Sequence, residues 1–156
     1  MGISVPKISD VYYYPKLNCD IIVYNYIEGP TLHDIASNND LSFFPLLIHY
    51  IAQLHHLGIY FKDLHLSNIV YQNGVFTLLD LETIHCKKRS LRISERAKNL
   101  AYLFNIKEHI QFYLHYGTEK FTNEYLNLTH LTERSKKRIK KFLSSKIPKE
   151  LNLDPA

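Results

Sequence analysis

Tryptophan is absent from this sequence, methionine occurs once, cysteine twice and glycine only five times. Cys19 and Cys86 stand far apart, with no CxxC pair and no companion histidine cluster. That spacing disfavours both a disulfide framework and a cysteine-based zinc site, and it fits a reducing compartment. Gly2, Gly29, Gly58, Gly74 and Gly117 are scattered singly, so no G-x-G-x-x-G phosphate loop exists. Long apolar runs are missing too. The greasiest stretch, Phe43 to Phe61, is interrupted by His49, Gln53, His55, His56 and Gly58 and is too polar to read as a bilayer span. The opening MGISVPK has no charged region leading into an apolar one, and Pro6 stands where a myristoylation signal wants Ser or Thr. These absences lead us to expect a soluble or peripheral cytoplasmic protein.

What is present describes one globular domain. With 156 residues, 46% of them apolar and 22% charged, the chain can bury a core but is short for two domains. Twelve tyrosines and eight phenylalanines supply large faces, the tyrosines with a polar tip. Charge is divided unevenly. Residues 1–86 hold three Lys or Arg against eight Asp or Glu, a net −5, while residues 87–156 hold sixteen against seven, a net +9. An acidic half suits a site that gathers metal ions, and a basic half suits an anionic partner or surface.

Read along the chain, Val11–Tyr14 and Asp20–Tyr26 predict two strands joined by the turn-rich Pro15-Lys16-Leu17-Asn18. Thr31 is placed to cap a short helix through Ser37. Ser42 and Pro45 open a longer helix whose Leu47, Tyr50, Ile51, Leu54 and Leu57 share one face, and Gly58 ends it. Its adjacent His55 and His56 diverge by about a hundred degrees around a helix, so packing or surface use is expected of them, not metal binding. Asn73-Gly74, between Ile69-Val70-Tyr71 and Val75–Leu79, signals a tight hairpin with a type I′ turn. Glu82–Arg92 reads as an irregular basic segment. Ser94 is placed to cap a helix with Ala97, Leu100, Ala101 and Phe104 on one face, packed beneath the loop at 62–68. Two further helices are expected over Ile106–Tyr116 and Glu119–Leu126, parted by Gly117.

Chemistry concentrates between Gly58 and Leu81. Asp63 and Asn68 lie five residues apart in Lys62-Asp63-Leu64-His65-Leu66-Ser67-Asn68, the D-x-x-x-x-N spacing of a kinase catalytic loop. The hairpin then folds the chain back, bringing Asp80 toward Asn68. Phosphoryl transfer needs one carboxylate to orient the attacking hydroxyl and accept its proton, and hard oxygen ligands for the magnesium that neutralises phosphate charge. Asp63 suits the first role, and Asn68 with Asp80 the second.

The stretches LHHLGIYFKDLHLSNIV and LLDLETI, with IIVYNYIEGPTLHDI upstream, resemble the protein-kinase-like superfamily, and more narrowly the bacterial lipopolysaccharide kinases of the Kdo kinase and WaaP family, over residues 3–116. The resemblance implies an α+β, protein-kinase-like fold: a mostly helical C-terminal lobe with short β-hairpins, most of the N-terminal lobe missing. It divides a single domain over 1–156 into remnant N-lobe strands and hinge (1–27), C-lobe (28–128) and a basic C-terminal helix (129–146). It implies ATP and Mg2+ as cofactors, with adenine held by backbone groups at Tyr26 and Ile27. It also implies that the Lys87-Lys88-Arg89 cluster meets an acidic or phosphorylated acceptor, the alternative being a plain solvated loop. Two departures stand out: Phe61-Lys62 precedes the catalytic Asp, and Leu81-Glu82 follows the metal-binding one. Asn99 occupies a position where relatives often carry an Asp that anchors the loop, which predicts weaker anchoring.

Over Thr129–Lys146, seven Lys and Arg surround a thin stripe of Leu131, Ile139, Phe142 and Leu143. Ordinary packing of a charged terminal helix ranks first, contact with an anionic membrane face second, and nucleic acid last, because no aromatics are interleaved with the charges. The expected function is an ATP-dependent phosphotransferase acting on a sugar or lipopolysaccharide-core acceptor at the cytoplasmic face of the inner membrane, truncated or weakly active. No glycine-rich loop or phosphate-gripping strand Lys precedes Ser9. The alternatives are another small-molecule kinase of the aminoglycoside or choline phosphotransferase kind, and a non-catalytic kinase-like binding module.

Overall fold

The computed structural model describes residues 3–147. The ends of the 1–156 domain, Met1 and Gly2 among them, lie outside the described residues. Six α-helices and three two-stranded antiparallel sheets make a mixed α+β architecture among the described residues. Strands β1 (Ile8–Tyr14) and β2 (Cys19–Tyr24) form a hairpin, followed by helices α1 (Leu32–Ser37) and α2 (Phe44–His56). Strand β3 (Ile59–Phe61) pairs across a long gap with β6 (Ile84–Cys86), and between them lies the hairpin of β4 (Ile69–Gln72) and β5 (Val75–Leu78). The chain closes with α3 (Ile93–Asn105), α4 (Lys107–Tyr116), α5 (Thr118–Asn127) and α6 (Glu133–Ser144). Among the described residues no helix is long and apolar enough to cross a membrane.

Local chemistry accounts for most boundaries. The Thr31 hydroxyl accepts from the Asp34 N–H while the Asp34 carboxylate accepts from the Thr31 N–H, a reciprocal cap for α1. Pro45 sits in the first turn of α2, where its missing N–H costs nothing; Ser42 does not cap it, and Phe43 takes that place. Gly58 ends α2 at φ +81°, and a Cβ there would stand 2.2 Å from the Arg89 carbonyl oxygen. Leu57, expected on the buried face, lies past the last turn and is half exposed. Asn73 and Gly74 both have positive φ, 51° and 81°, as the β4–β5 turn requires. Helix α3 starts one residue before Ser94, and its first free N–H, that of Arg92, is taken by the Glu95 carboxylate at 2.6 Å. The segment 82–92 is not wholly irregular, since β6 lies within it.

The core runs between α2, α3, α4 and α5. Phe44, Phe104, Tyr113 and Phe121 meet edge-to-face with ring centroids 5.1–6.1 Å apart, each such pair adding ~0.5–1.5 kcal/mol beyond area burial. Helix α6 packs on α3 through Ile139 and Leu143, both buried. The β1–β2 hairpin contributes nothing to this core. Val11 pairs with Ile22 and Tyr13 with Asp20 on one face, Tyr12 with Ile21 and Tyr14 with Cys19 on the other, and all but Cys19 are exposed. Strand β2 stops at Tyr24, two residues short of the expected Tyr26, and one more cross-strand bond, from the Asn25 N–H to the Lys7 carbonyl, follows it.

Candidate functional site

The segment from Phe61 to Asn68 is pinned by the residues it buries. Phe61, Leu64 and Leu66 are fully buried, leaving Asp63, His65 and Asn68 at intermediate exposure between them. The Asn68 side-chain amide donates to the Asp63 carbonyl at 3.1 Å, closing the loop on itself. The Asn68 carbonyl in turn accepts from the Leu79 N–H at 2.9 Å. One residue therefore ties the loop that carries Asp63 to the strand end that carries Asp80.

Asp80 adopts a left-handed conformation, φ 56° and ψ 58°, which Asp tolerates better than most residues. Its carbonyl accepts from Thr83, but among the described residues neither its carboxylate nor that of Asp63 has a hydrogen bond or ion pair. Burial lowers the pKa of His65, opposed by the charges of Asp63, Asp80 and Glu108, so both site carboxylates act on one imidazole. Among the described residues no donor reaches the Asn68 side-chain oxygen. Asn68 and Asp80 thus offer two hard oxygen groups of the kind magnesium takes, with water and phosphate oxygens to complete the shell. Among the described residues no group of three or more His, Cys, Asp or Glu could hold a metal ion.

Behind the loop runs a hydrogen-bond chain that sequence reasoning missed. The Asn99 amide donates to the Phe61 carbonyl at 2.6 Å. A carbonyl only accepts, so this contact fixes the amide's orientation and turns its oxygen toward His55 Nε2, 3.0 Å away. Nε2 must then carry the proton, and Nδ1 accepts from the Tyr125 hydroxyl at 2.7 Å. That hydroxyl oxygen accepts from Arg96 Nη1 at 3.1 Å. Every proton from Arg96 to Phe61 has a determined direction. Burial pushes the His55 pKa down to about 3, against the pull of the Asn99 bond and helped by the positive charge of Arg96, so the ring is neutral. The expectation of weak loop anchoring through Asn99 is therefore corrected: an amide serves because the group presented to it is a carbonyl.

The other predicted positions are less gathered. The Tyr26 side chain is 84% exposed, and Ile27 is partly buried. The segment that follows is stitched to the site, since the Pro30 carbonyl accepts from the Tyr71 N–H and Thr31 bridges Val70. In the basic cluster Lys87 and Arg89 both pair with Glu95, and the exposed Lys88 has no ion pair among the described residues. The two arginine and lysine partners, with the Arg92 N–H, hold the Glu95 carboxyl far below its ordinary pKa. The one signal of this pairing in the sequence is an acidic residue in the first turn of α3, six and eight residues after the two cations. Two surface clefts, of about 530 Å³ and 350 Å³, lie away from Asp63, Asn68 and Asp80. The larger is lined from α4, α5 and α6, including Leu114, Thr122, Lys140 and Leu143.

No family model matches the chain, and no curated protein matches it. Among solved structures, a structure of WaaP in complex with acyl carrier protein is similar, at 12% identity and a TM-score of 0.49, with 90% of this chain and 70% of that chain covered.

Proposed function

We propose that the chain is a phosphotransferase of the kinase-like kind, using ATP and Mg2+ to phosphorylate an alcohol group on a sugar or lipopolysaccharide-core acceptor. The observation that carries this reading is the position of Asn68: its side chain closes the loop on Asp63 and its carbonyl holds the strand that ends at Asp80. In this reading Asp63 orients the acceptor hydroxyl and takes its proton, and its freedom from any ion pair leaves it a ready acceptor. Asn68 and Asp80 would hold Mg2+, whose contribution is to neutralise charge on the nucleotide phosphates. Main-chain groups at Tyr26 and Ile27 would meet the adenine, and the exposed charges of 129–146 would rest on an anionic membrane surface.

Melting in the presence of Mg-ATP tests the reading. Wild type should be stabilised and Asp80→Gly should not; glycine is the chosen replacement because it keeps the left-handed backbone without strain. Equal shifts in both proteins would remove Asp80 from the nucleotide site. Phosphate transfer to a core sugar should vanish in Asp63→Asn, and nucleotide binding without transfer in wild type would instead support the non-catalytic module.

A further inference from the structure

Arg96 is the most deeply buried cation of the described residues, only 5% exposed, and no carboxylate among them pairs with it. Its Nε donates to the Leu91 carbonyl at 2.9 Å, Nη1 to the Tyr125 hydroxyl at 3.1 Å and Nη2 to the Ser90 hydroxyl at 2.7 Å. A guanidinium carries five N–H donors, so one on each terminal nitrogen is unspent. Burying a cation against neutral oxygens alone is costly, because dipoles return only part of the lost hydration.

Arg96 lines the smaller cleft, of about 350 Å³, between α2 and the turn after α5. His49, His56, Ser90 and His130 also line it, and among the described residues no Asp or Glu does. Leu128 and Leu131 supply an apolar side. Among the described residues the arrangement has a buried permanent cation at its wall, three histidines along it and no carboxylate.

We propose that this cleft is a binding site for an oxyanion of the phosphate-monoester class, with Arg96 as its charged anchor and His49, His56 and His130 as further hydrogen-bond partners. Arg suits this task because its planar donors match phosphate oxygens. The volume is at the lower end of ligand pockets, ~300–1,000 Å³, so it admits a phosphate bearing a small organic group that Leu128 and Leu131 can cover. The site is separate from the catalytic loop in space but joined to it by the directed chain through Tyr125, His55 and Asn99 to Phe61. It does not depend on the phosphotransferase reading.

Titration calorimetry of the full chain with inorganic phosphate and with glycerol phosphate, against chloride at matched ionic strength, tests this. Saturable one-to-one binding is expected, competed by sulfate, and at least tenfold weaker in Arg96→Gln and in the double variant His49→Gln/His130→Gln. The double variant alters exposed side chains only, so it decides the matter even where Arg96→Gln does not fold. Asp80→Gly should leave the affinity unchanged, which separates this site from that of the nucleotide. No phosphate binding above chloride, or binding that the double variant leaves intact, overturns the proposal.

Discussion

From helix α3, Asn99 donates its side-chain amide to the carbonyl of Phe61, two residues ahead of Asp63. Both groups are buried, so Asn99→Leu strands His55 Nε2 and leaves the Phe61 carbonyl with the Leu64 N–H alone, at 3.3 Å. At ~1–3 kcal/mol for a stranded buried group, a loss of about 1–3 kcal/mol in urea unfolding is expected. Asn99→Asp should also destabilise, since a carboxylate offers the carbonyl no donor. An Asp variant as stable as wild type would show that the orientation deduced for the amide is wrong.

Acid should weaken the fold before the carboxylates titrate. His55 and His109 are both buried, and burial lowers their pKa values to about 3 and about 4; for His109 the neighbouring His33 and His65 add to the lowering. An unfolded imidazole titrates near 6.5, so the unfolded chain binds protons that the folded chain refuses. Stability is therefore complete above pH ~6.5 and declines as pH falls, by on the order of 1.4 kcal/mol per pH unit for each ring. The midpoint in urea should drop steadily between pH ~6.5 and ~4.5, and a flat midpoint over that window would contradict the neutral burial of these rings.

The order of the site elements was legible in the sequence, because a tight turn and a loop spacing are local matters. Asn73-Gly74 specified its own turn through two positive φ angles, and the periodicity of Leu47, Tyr50, Ile51 and Leu54 specified the buried face of α2. What local pattern did not carry was pairing at a distance. Strands β3 and β6 are three residues each and find one another across the whole hairpin, too short for alternation to announce them. His55, for its part, reads as a polar interruption of an apolar helix; only the approach of Asn99 and Tyr125 makes its burial affordable.

Gly58→Ala should be among the most damaging small changes. The left-handed backbone costs an alanine ~1–2 kcal/mol, and its methyl would meet two main-chain carbonyl oxygens, those of Arg89 and Lys87, at 2.2 and 2.4 Å. Main chain cannot swing aside as a side chain can, so Gly58→Ala is expected to lose at least ~2 kcal/mol, read from its unfolding midpoint. A loss below ~1 kcal/mol would mean the turn relaxes freely.

Contact of α6 with anionic vesicles should be electrostatic alone, since Ile139 and Leu143 are already buried and leave little apolar surface to insert. Sedimentation with anionic vesicles should fall with salt and vanish near 1 M, where the Debye length is ~3 Å. Replacing Lys136, Lys137, Lys140 and Lys141 with Gln should abolish it at any salt. Binding to uncharged vesicles would require an insertion that the packing of α6 does not provide.

The β1–β2 hairpin shares no side chain with the core, so opening it forfeits only its own ladder and cross-strand pairs. Its amides are accordingly placed to exchange with deuterium through local opening, far earlier than those of α2 or β4, whose exposure requires global unfolding. Cleavage in the turn between Tyr14 and Cys19 would leave the cooperative unit whole. A melting curve is therefore silent about residues 8–24, and their order has to be read amide by amide.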